Sequence, residues 1–292
     1  MSKYQGLYEY RKVIASERAC LRLIRRVRWP RGVRCPRCGF ARQYHFEEQG
    51  VPKHQCKRCD YKFSDLSQTI FQRTKLPLSK WVLALALFKI GLSAHQLAKE
   101  IGVSYKTAWQ LMHKFRSALE NDPLVSQLRG TIELDETYFG GRQHRDPTQG
   151  HTGMTNKIPV VGIRSRDGKV KTLALSKLGY RELKAFLRRF VRSGSLIYTD
   201  DLPLHDNLYR WGYRYHTVNK RLGFVRPPDI HTNSVEGYWM LCKNKLYARH
   251  HQLSRKYLPK YLAEMEYKFN YRYDLDFVKT ILHRLIFPPL SI

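Results

Sequence analysis

The sequence predicts an α/β chain in three parts, on three observations. Four cysteines fall in two close pairs near the N-terminus, and apolar residues recur with a helical period from Leu78 to Leu119. From Gly130 onward, strand and helix signals alternate. The expected boundaries are an N-terminal arm and cysteine ribbon over 1–72, a helical segment over 73–125, and a mixed strand-and-helix domain over 126–292.

The cysteine ribbon comes first. Cys35-Pro36-Arg37-Cys38 and Cys56-Lys57-Arg58-Cys59 form a C-x2-C-x17-C-x2-C pattern. A two-residue spacer turns both thiolates of a knuckle toward one ion, and two knuckles complete a closed tetrahedral zinc site. With no open ligand position, that zinc is structural. Between the knuckles, Gln43 to Phe46 and Gly50 to Gln55 suit short strands. Arg31, Arg34, Arg37, Lys53, Lys57 and Arg58 surround the pattern, so Arg34 and Lys57 are candidate contacts to a phosphate backbone. Cys20 and Cys242 stand alone and read as ordinary buried thiols.

In the helical segment, Pro77 precedes a helix with Trp81, Leu85 and Phe88 on one face. Ser93-Ala94-His95-Gln96 reads as a capping box, and Gly102 ends the helix it starts. Ser104 caps the next helix, which runs through Trp109, Met112 and Phe115. Ala98 and Gly102 stand where a helix-turn-helix needs a small residue and a turn glycine, so Lys106 and Gln110 are candidate groove readers. An ordinary helical hairpin is the alternative.

In the third part, Thr131 to Phe139, Ile158 to Ser165 and Val170 to Ser176 read as strands, with Gly140-Gly141 and Asp167-Gly168 as turns. Arg181 to Arg192 is an amphipathic helix, Leu196 to Thr199 a strand, Asp206 to Trp211 a short helix and Tyr213 to Val218 a strand. Helices from Ser234 to about Tyr247 and from Lys256 to Tyr271 follow. Three acids stand out at these elements: Asp135, Asp200 and Glu236. Glu236 follows Asp200 after 35 intervening residues, and Lys243 lies seven residues, about two helical turns, beyond Glu236. Carboxylates converging from separate elements can hold two divalent ions for in-line attack on a phosphodiester. Glu133 shares a face with Asp135 by strand alternation and is a candidate supporting group. Asn233 competes with Glu236 as an oxygen ligand, and Asp201 competes with Asp200 but is better placed as a turn or cap residue. Tyr238 and Trp239 read as core packing, with stacking on a base as the alternative.

Composition bounds the partner. Lys and Arg number 53 against 24 Asp and Glu, for a formal charge of +29 over 292 residues. Residues 1–60 hold 15 basic and 5 acidic residues, and no acid occurs between Gly237 and Ala263. Clustering of this kind favours nucleic acid over a merely solubilising surface. With 42% hydrophobic and 13% aromatic residues, the chain can still bury a core. The longest apolar run, Trp81 to Phe88, is far short of the roughly 20 residues of a membrane span, and Met1 to Gln5 carries no apolar signal region. A reducing cytoplasm is therefore expected, where the six cysteines form no structural disulfides.

The paired cysteine motifs, Glu133-Leu134-Asp135-Glu136-Thr137-Tyr138-Phe139-Gly140-Gly141 and Pro159-Val160-Val161-Gly162 together resemble a known pattern. It continues in Tyr198-Thr199-Asp200, in His231-Thr232-Asn233-Ser234-Val235-Glu236-Gly237-Tyr238-Trp239 and in Lys243. This set resembles the DDE transposases of bacterial insertion sequences that carry an N-terminal zinc ribbon, the ISXO-like group. The resemblance implies an RNase H-like catalytic domain in which Asp135 and Asp200 lie on neighbouring strands and Glu236 closes the cluster from a helix. It further implies two Mg²⁺ or Mn²⁺ ions on Asp135, Asp200 and Glu236, with Lys243 on DNA phosphate. Transposon ends and target DNA are the expected partners, a homodimer or larger assembly the expected state, and the nucleoid the expected location. A zinc-ribbon regulator with an inactive domain, or a nuclease without strand transfer, are the alternatives. The chain departs from the pattern at Asp201-Leu202-Pro203-Leu204-His205, which replaces the more usual turn after the second aspartate.

Overall fold

The computed structural model describes residues 7–48, 51–120, 127–140, 157–200, 203–218, 230–250, 253–273 and 276–287. Of the residues assigned from sequence, Gly50, Gly141 and Asp201 lie outside them. Two compact units emerge, one of residues 1–118 with 273–292 and one of residues 119–272. This division differs from the expected boundaries, since ribbon and helical segment share a unit and the C-terminal residues join it. Among the described residues, no helix is long and apolar enough to cross a membrane.

In the first unit, helices α1 (Leu7–Ile14) and α2 (Glu17–Arg28) precede the ribbon strands β1 (Gln43–Glu48), β2 (Val51–Cys56) and β3 (Lys62–Ser64). The three strands form an antiparallel sheet in chain order. Helices α3 (Leu78–Ile90), α4 (Ala94–Ile101) and α5 (Tyr105–Leu119) follow. The Ser93–Gln96 capping box forms as expected, and Gly102 ends α4 in the left-handed region at φ 58°. Ser104 Oγ accepts from the Thr107 backbone N–H, starting α5. Glu17, in the first turn of α2, also accepts from the Leu78 and Ser79 backbone N–H groups, so its carboxylate caps α3. Helix α9 (Phe277–Ile286) packs on α2 and α3, burying Phe277, Val278, Ile281, Leu282 and Leu285. Those five side chains explain why the C-terminal residues belong to this unit.

The second unit is a five-stranded mixed sheet. Strands β4 (Thr131–Phe139), β5 (Ile158–Ser165) and β6 (Val170–Ala174) pair antiparallel, and β7 (Leu196–Asp200) and β8 (Arg214–Val218) add in parallel on the other side of β4. The spatial order is β6-β5-β4-β7-β8, the RNase H-like arrangement, and the three expected opening strands fall in place. Helix α6 (Tyr180–Phe190) is the crossover into β7 and sets Leu183, Phe186 and Leu187 against Ile132, Leu134, Ile163 and Ile197. Helices α7 (Asn233–Tyr247) and α8 (Leu258–Asn270) cover the opposite face through Val235, Tyr238, Trp239, Leu262 and Met265. Each such buried side chain contributes about 1.5–3 kcal/mol. The edge strand β6 is protected by α8, because Asn270 Oδ1 accepts from Val170 N–H, Asn270 Nδ2 donates to Val170 C=O, and Glu266 accepts from Thr172 N–H. Two short 3-10 turns, Pro203–His205 and Tyr209–Trp211, replace the single helix expected over Asp206 to Trp211.

Candidate active site

Strand β4 presents alternate side chains to the two faces of the sheet. Glu133, Asp135, Thr137 and Phe139 face α7, while Ile132, Leu134 and Glu136 face the α6 side. The parallel ladder between β4 and β7 runs as far as Glu133 with Tyr198. Asp135 and Asp200 each lie two residues beyond that pair, on neighbouring strands. Asp135 is buried, whereas Asp200 ends β7 with its side chain 24% exposed.

Three contacts fix α7 over this corner. Glu133 is fully buried, and its Oε2 accepts from the Val235 N–H at 2.9 Å, capping α7 from the neighbouring strand. Its Oε1 meets Arg166 Nε at 3.1 Å and lies 3.6 Å from His231 Nδ1. Arg164 Nη1 donates to the Ser234 carbonyl at 2.6 Å. At Gly162, the β5 partner of Asp135, a Cβ would stand 2.3 Å from Trp239 Cζ2, so only glycine lets the indole of α7 rest there.

Helix α7 therefore brings its first turn to the sheet. Glu236 is half-buried there, and its Oε1 accepts from the Thr232 hydroxyl at 3.0 Å. Asn233 is exposed at the first position of the helix. Lys243 is half-buried. Burial lowers the Lys243 ammonium below the usual lysine range, Asp135 opposes that fall and Lys157 adds to it. Lys243 thus stands within the field of Asp135. Tyr238 and Trp239 are buried in the core, as expected.

Asp135, Asp200 and Glu236 do not close to the spacing of ligands around a single ion. Among the described residues, groups with ligand atoms all within 4.8 Å are the four cysteines and Glu136, Asp200 and His205. Two-ion sites space their carboxylates more widely, because the ions themselves stand about 3.5–4 Å apart. The carboxylates of Asp200 and Glu136 flank His205, which is wholly buried at the end of a 3-10 turn. Burial lowers the affinity of His205 for a proton, but its contacts with Asp200 and Glu136 outweigh that and push its pKa up to about 9. Sequence reasoning passed over Glu136 and His205. The one signal was the unusual stretch from Asp201 to His205.

The ribbon knuckles meet as expected. Cys35 Sγ lies 3.7 Å from Cys59 Sγ and Cys38 Sγ lies 3.5 Å from Cys56 Sγ, too far for disulfides, and the Arg58 N–H donates to Cys56 Sγ. Four sulfurs at about 2.3 Å from a tetrahedral zinc stand about 3.8 Å apart, so the cluster fits a structural zinc ion. Arg34 and Lys57 are exposed beside it, and Lys57 Nζ sits 4.4 Å from the exposed Tyr44 ring. Lys106 and Gln110 are exposed on α5. Cys20 and Cys242 are buried thiols, which burial pushes up to about 11 and about 12.

Residues 127–270 match the ISXO2-like transposase domain, and residues 15–62 match a transposase zinc-ribbon domain. An uncharacterized protein in transposable element ISH50 of Halobacterium salinarum is 28% identical over 272 residues, spanning 87% of this chain and 91% of that protein. Among solved structures, a pre-cleavage Mos1 transpososome aligns at 14% identity and TM-score 0.31, over 70% of this chain and 75% of that one. A Mos1 mariner paired end complex with Mn aligns at 14% and 0.26, over 70% and 74%. The two family matches fall on the four-cysteine ribbon and on the mixed sheet that bears the acids, and the chain carries an ISXO2-like DDE transposase domain with an N-terminal transposase zinc ribbon.

Proposed function

We propose that the chain binds the terminal inverted repeats of its own insertion sequence, cuts at the ends and joins them to target DNA. The observation that best supports this reading is the strand β4–strand β7–helix α7 corner, which carries Asp135, Asp200 and Glu236 inside the matched transposase domain. Asp135, Asp200 and Glu236 hold the catalytic Mg²⁺ or Mn²⁺ ions. Two such ions, when bound, activate the attacking water or 3′-hydroxyl and neutralise charge on the phosphate. Lys243, within the field of Asp135, steadies a DNA phosphate beside them, and Asn233 adds a neutral oxygen at the start of α7. Glu133, Arg164 and Gly162 hold α7 in register with the sheet, so the protein's share of catalysis is positioning and electrostatics.

The ribbon and helical segment bind the ends. Arg34 and Lys57 contact backbone phosphates without reading sequence, whereas Lys106 and Gln110 on α5 contact base edges. Two ends demand two active sites, so the working form is a homodimer or larger assembly in the nucleoid. Strand transfer tests the reading. Pre-cleaved end DNA with a free 3′-hydroxyl, incubated with target DNA and Mg²⁺, gives joined product. Cutting with no joined product under those conditions would make the protein a nuclease, and binding with neither reaction would make it a regulator.

A further inference from the structure

We propose that Glu136, Asp200 and His205 form a divalent-cation site selective for Mn²⁺ over Mg²⁺. Glu136 projects from β4 on the face opposite Asp135, with its side chain 7% exposed, and the His205 side chain is wholly buried. Each residue offers one ligand atom, and the three lie within 4.8 Å of one another. Glu136 Oε2, Asp200 Oδ1 and His205 Nε2 are all buried and all lack a hydrogen-bond partner. Asp200 Oδ1 lies 3.4 Å from His205 Nδ1 and Glu136 Oε2 3.6 Å from His205 Nε2, so with no ion bound only the charge on His205 offsets the two carboxylates. A divalent ion would give the buried ligand atoms the partner they lack.

The imidazole is turned to serve such an ion. His205 Nδ1 lies 2.6 Å from Thr199 Oγ1 and 3.3 Å from the Asp200 carbonyl, so its proton is spent on oxygens of β7. That leaves Nε2, turned toward Glu136, as the nitrogen an ion would take by displacing its proton, as an outer partner leaves it for a metal-binding histidine. Nε2 faces Glu136 Oε2 across 3.6 Å, beyond the 2.7–3.2 Å of an N–H···O bond. Two ligand atoms about 2.1 Å from one ion subtend about 120° at that separation, an ordinary ligand–metal–ligand angle. Two carboxylates balance a divalent charge, and the partly exposed Asp200 gives the ion a route in. Carboxylates alone suit Mg²⁺, whereas an imidazole beside them favours Mn²⁺ and its neighbours in the transition series. The site shares Asp200 with the proposed catalytic group but needs neither Asp135 nor Glu236, so the two readings stand or fall separately.

Pulsed EPR of Mn²⁺ added to the full-length, zinc-loaded protein reads the ligand set directly. The expected result is a ¹⁴N coupling at the first equivalent of Mn²⁺, absent in His205→Gln and retained in Asp135→Asn and Glu236→Gln. Mn²⁺ affinity should fall at least tenfold in His205→Gln, with Mg²⁺ affinity changing less. Absence of nitrogen coupling in the unmodified protein at saturating Mn²⁺ overturns the proposal, and so does a coupling undiminished in His205→Gln. The unmodified protein's spectrum decides the matter even if the variant fails to fold.

Discussion

Glu133 shows how one side chain can set a site without touching substrate. It lies two residues before Asp135 on the same face of β4 and joins the start of α7 to Arg166. Removing one partner of a buried pair costs about 3–5 kcal/mol, because the charge left behind has no compensation. Glu133→Ala should therefore lower the melting temperature of the second unit and its activity together. Glu133→Gln, which keeps an acceptor for the Val235 N–H, should cost about half as much, as thermal melts of both variants will read. Equal melting of the two would refute the capping role. The alternation of β4 made Glu133 legible as a supporting group beside Asp135, and the short apolar run that Asp200 ends made it legible as a second strand-borne acid. The Glu136, Asp200 and His205 cluster was not legible. It depends on how the chain turns after β7, and a 3-10 turn that carries a buried histidine leaves no periodic trace.

At the scale of elements, the placement of α7 on the sheet depends on a missing side chain. Trp239 is only 4% exposed, so its ring cannot retreat from a Cβ at Gly162. Gly162→Ala should cost about 1–3 kcal/mol by overpacking and should slow catalysis by tilting Glu236 away from Asp135. Trp239→Phe removes the crowded ring atoms, so the double variant should recover part of the loss. A double-mutant cycle with no coupling energy would contradict this contact. Strands β4, β5 and β7 and helices α4 and α7 were readable because turns, caps and alternation mark their ends. Helices α1, α2 and α9 were not anticipated. In α2, five arginines and a glutamate in twelve residues mask a narrow apolar face of Cys20, Leu23 and Ile24. Helix α2 packs not only on its neighbours α1 and α3 but also on α9 from the far end of the chain, whose role in the first unit no local pattern announces.

At the scale of the whole molecule, the division into two units predicts separable failures. Cys38→Ser or Cys56→Ser should release about one zinc per chain and weaken end binding. The second unit should still melt as before, which calorimetry and elemental analysis will read; intact zinc content in either variant would defeat the four-sulfur site. The central claim is that one corner of the second unit performs both chemical steps. Its most direct measurement is cleavage and strand transfer by Asp135→Asn, Asp200→Asn and Glu236→Gln, each alongside its affinity for end DNA. Each substitution keeps the side chain's size and removes one negative charge. Both steps should fall by more than about a hundredfold, equivalent to several kcal/mol of transition-state stabilisation, while end binding persists on the basic surface. Cleavage or joining near the unmodified rate in any one of the three would contradict the account, and full activity in Glu236→Gln with loss in Asn233→Ala would move the third ligand to Asn233.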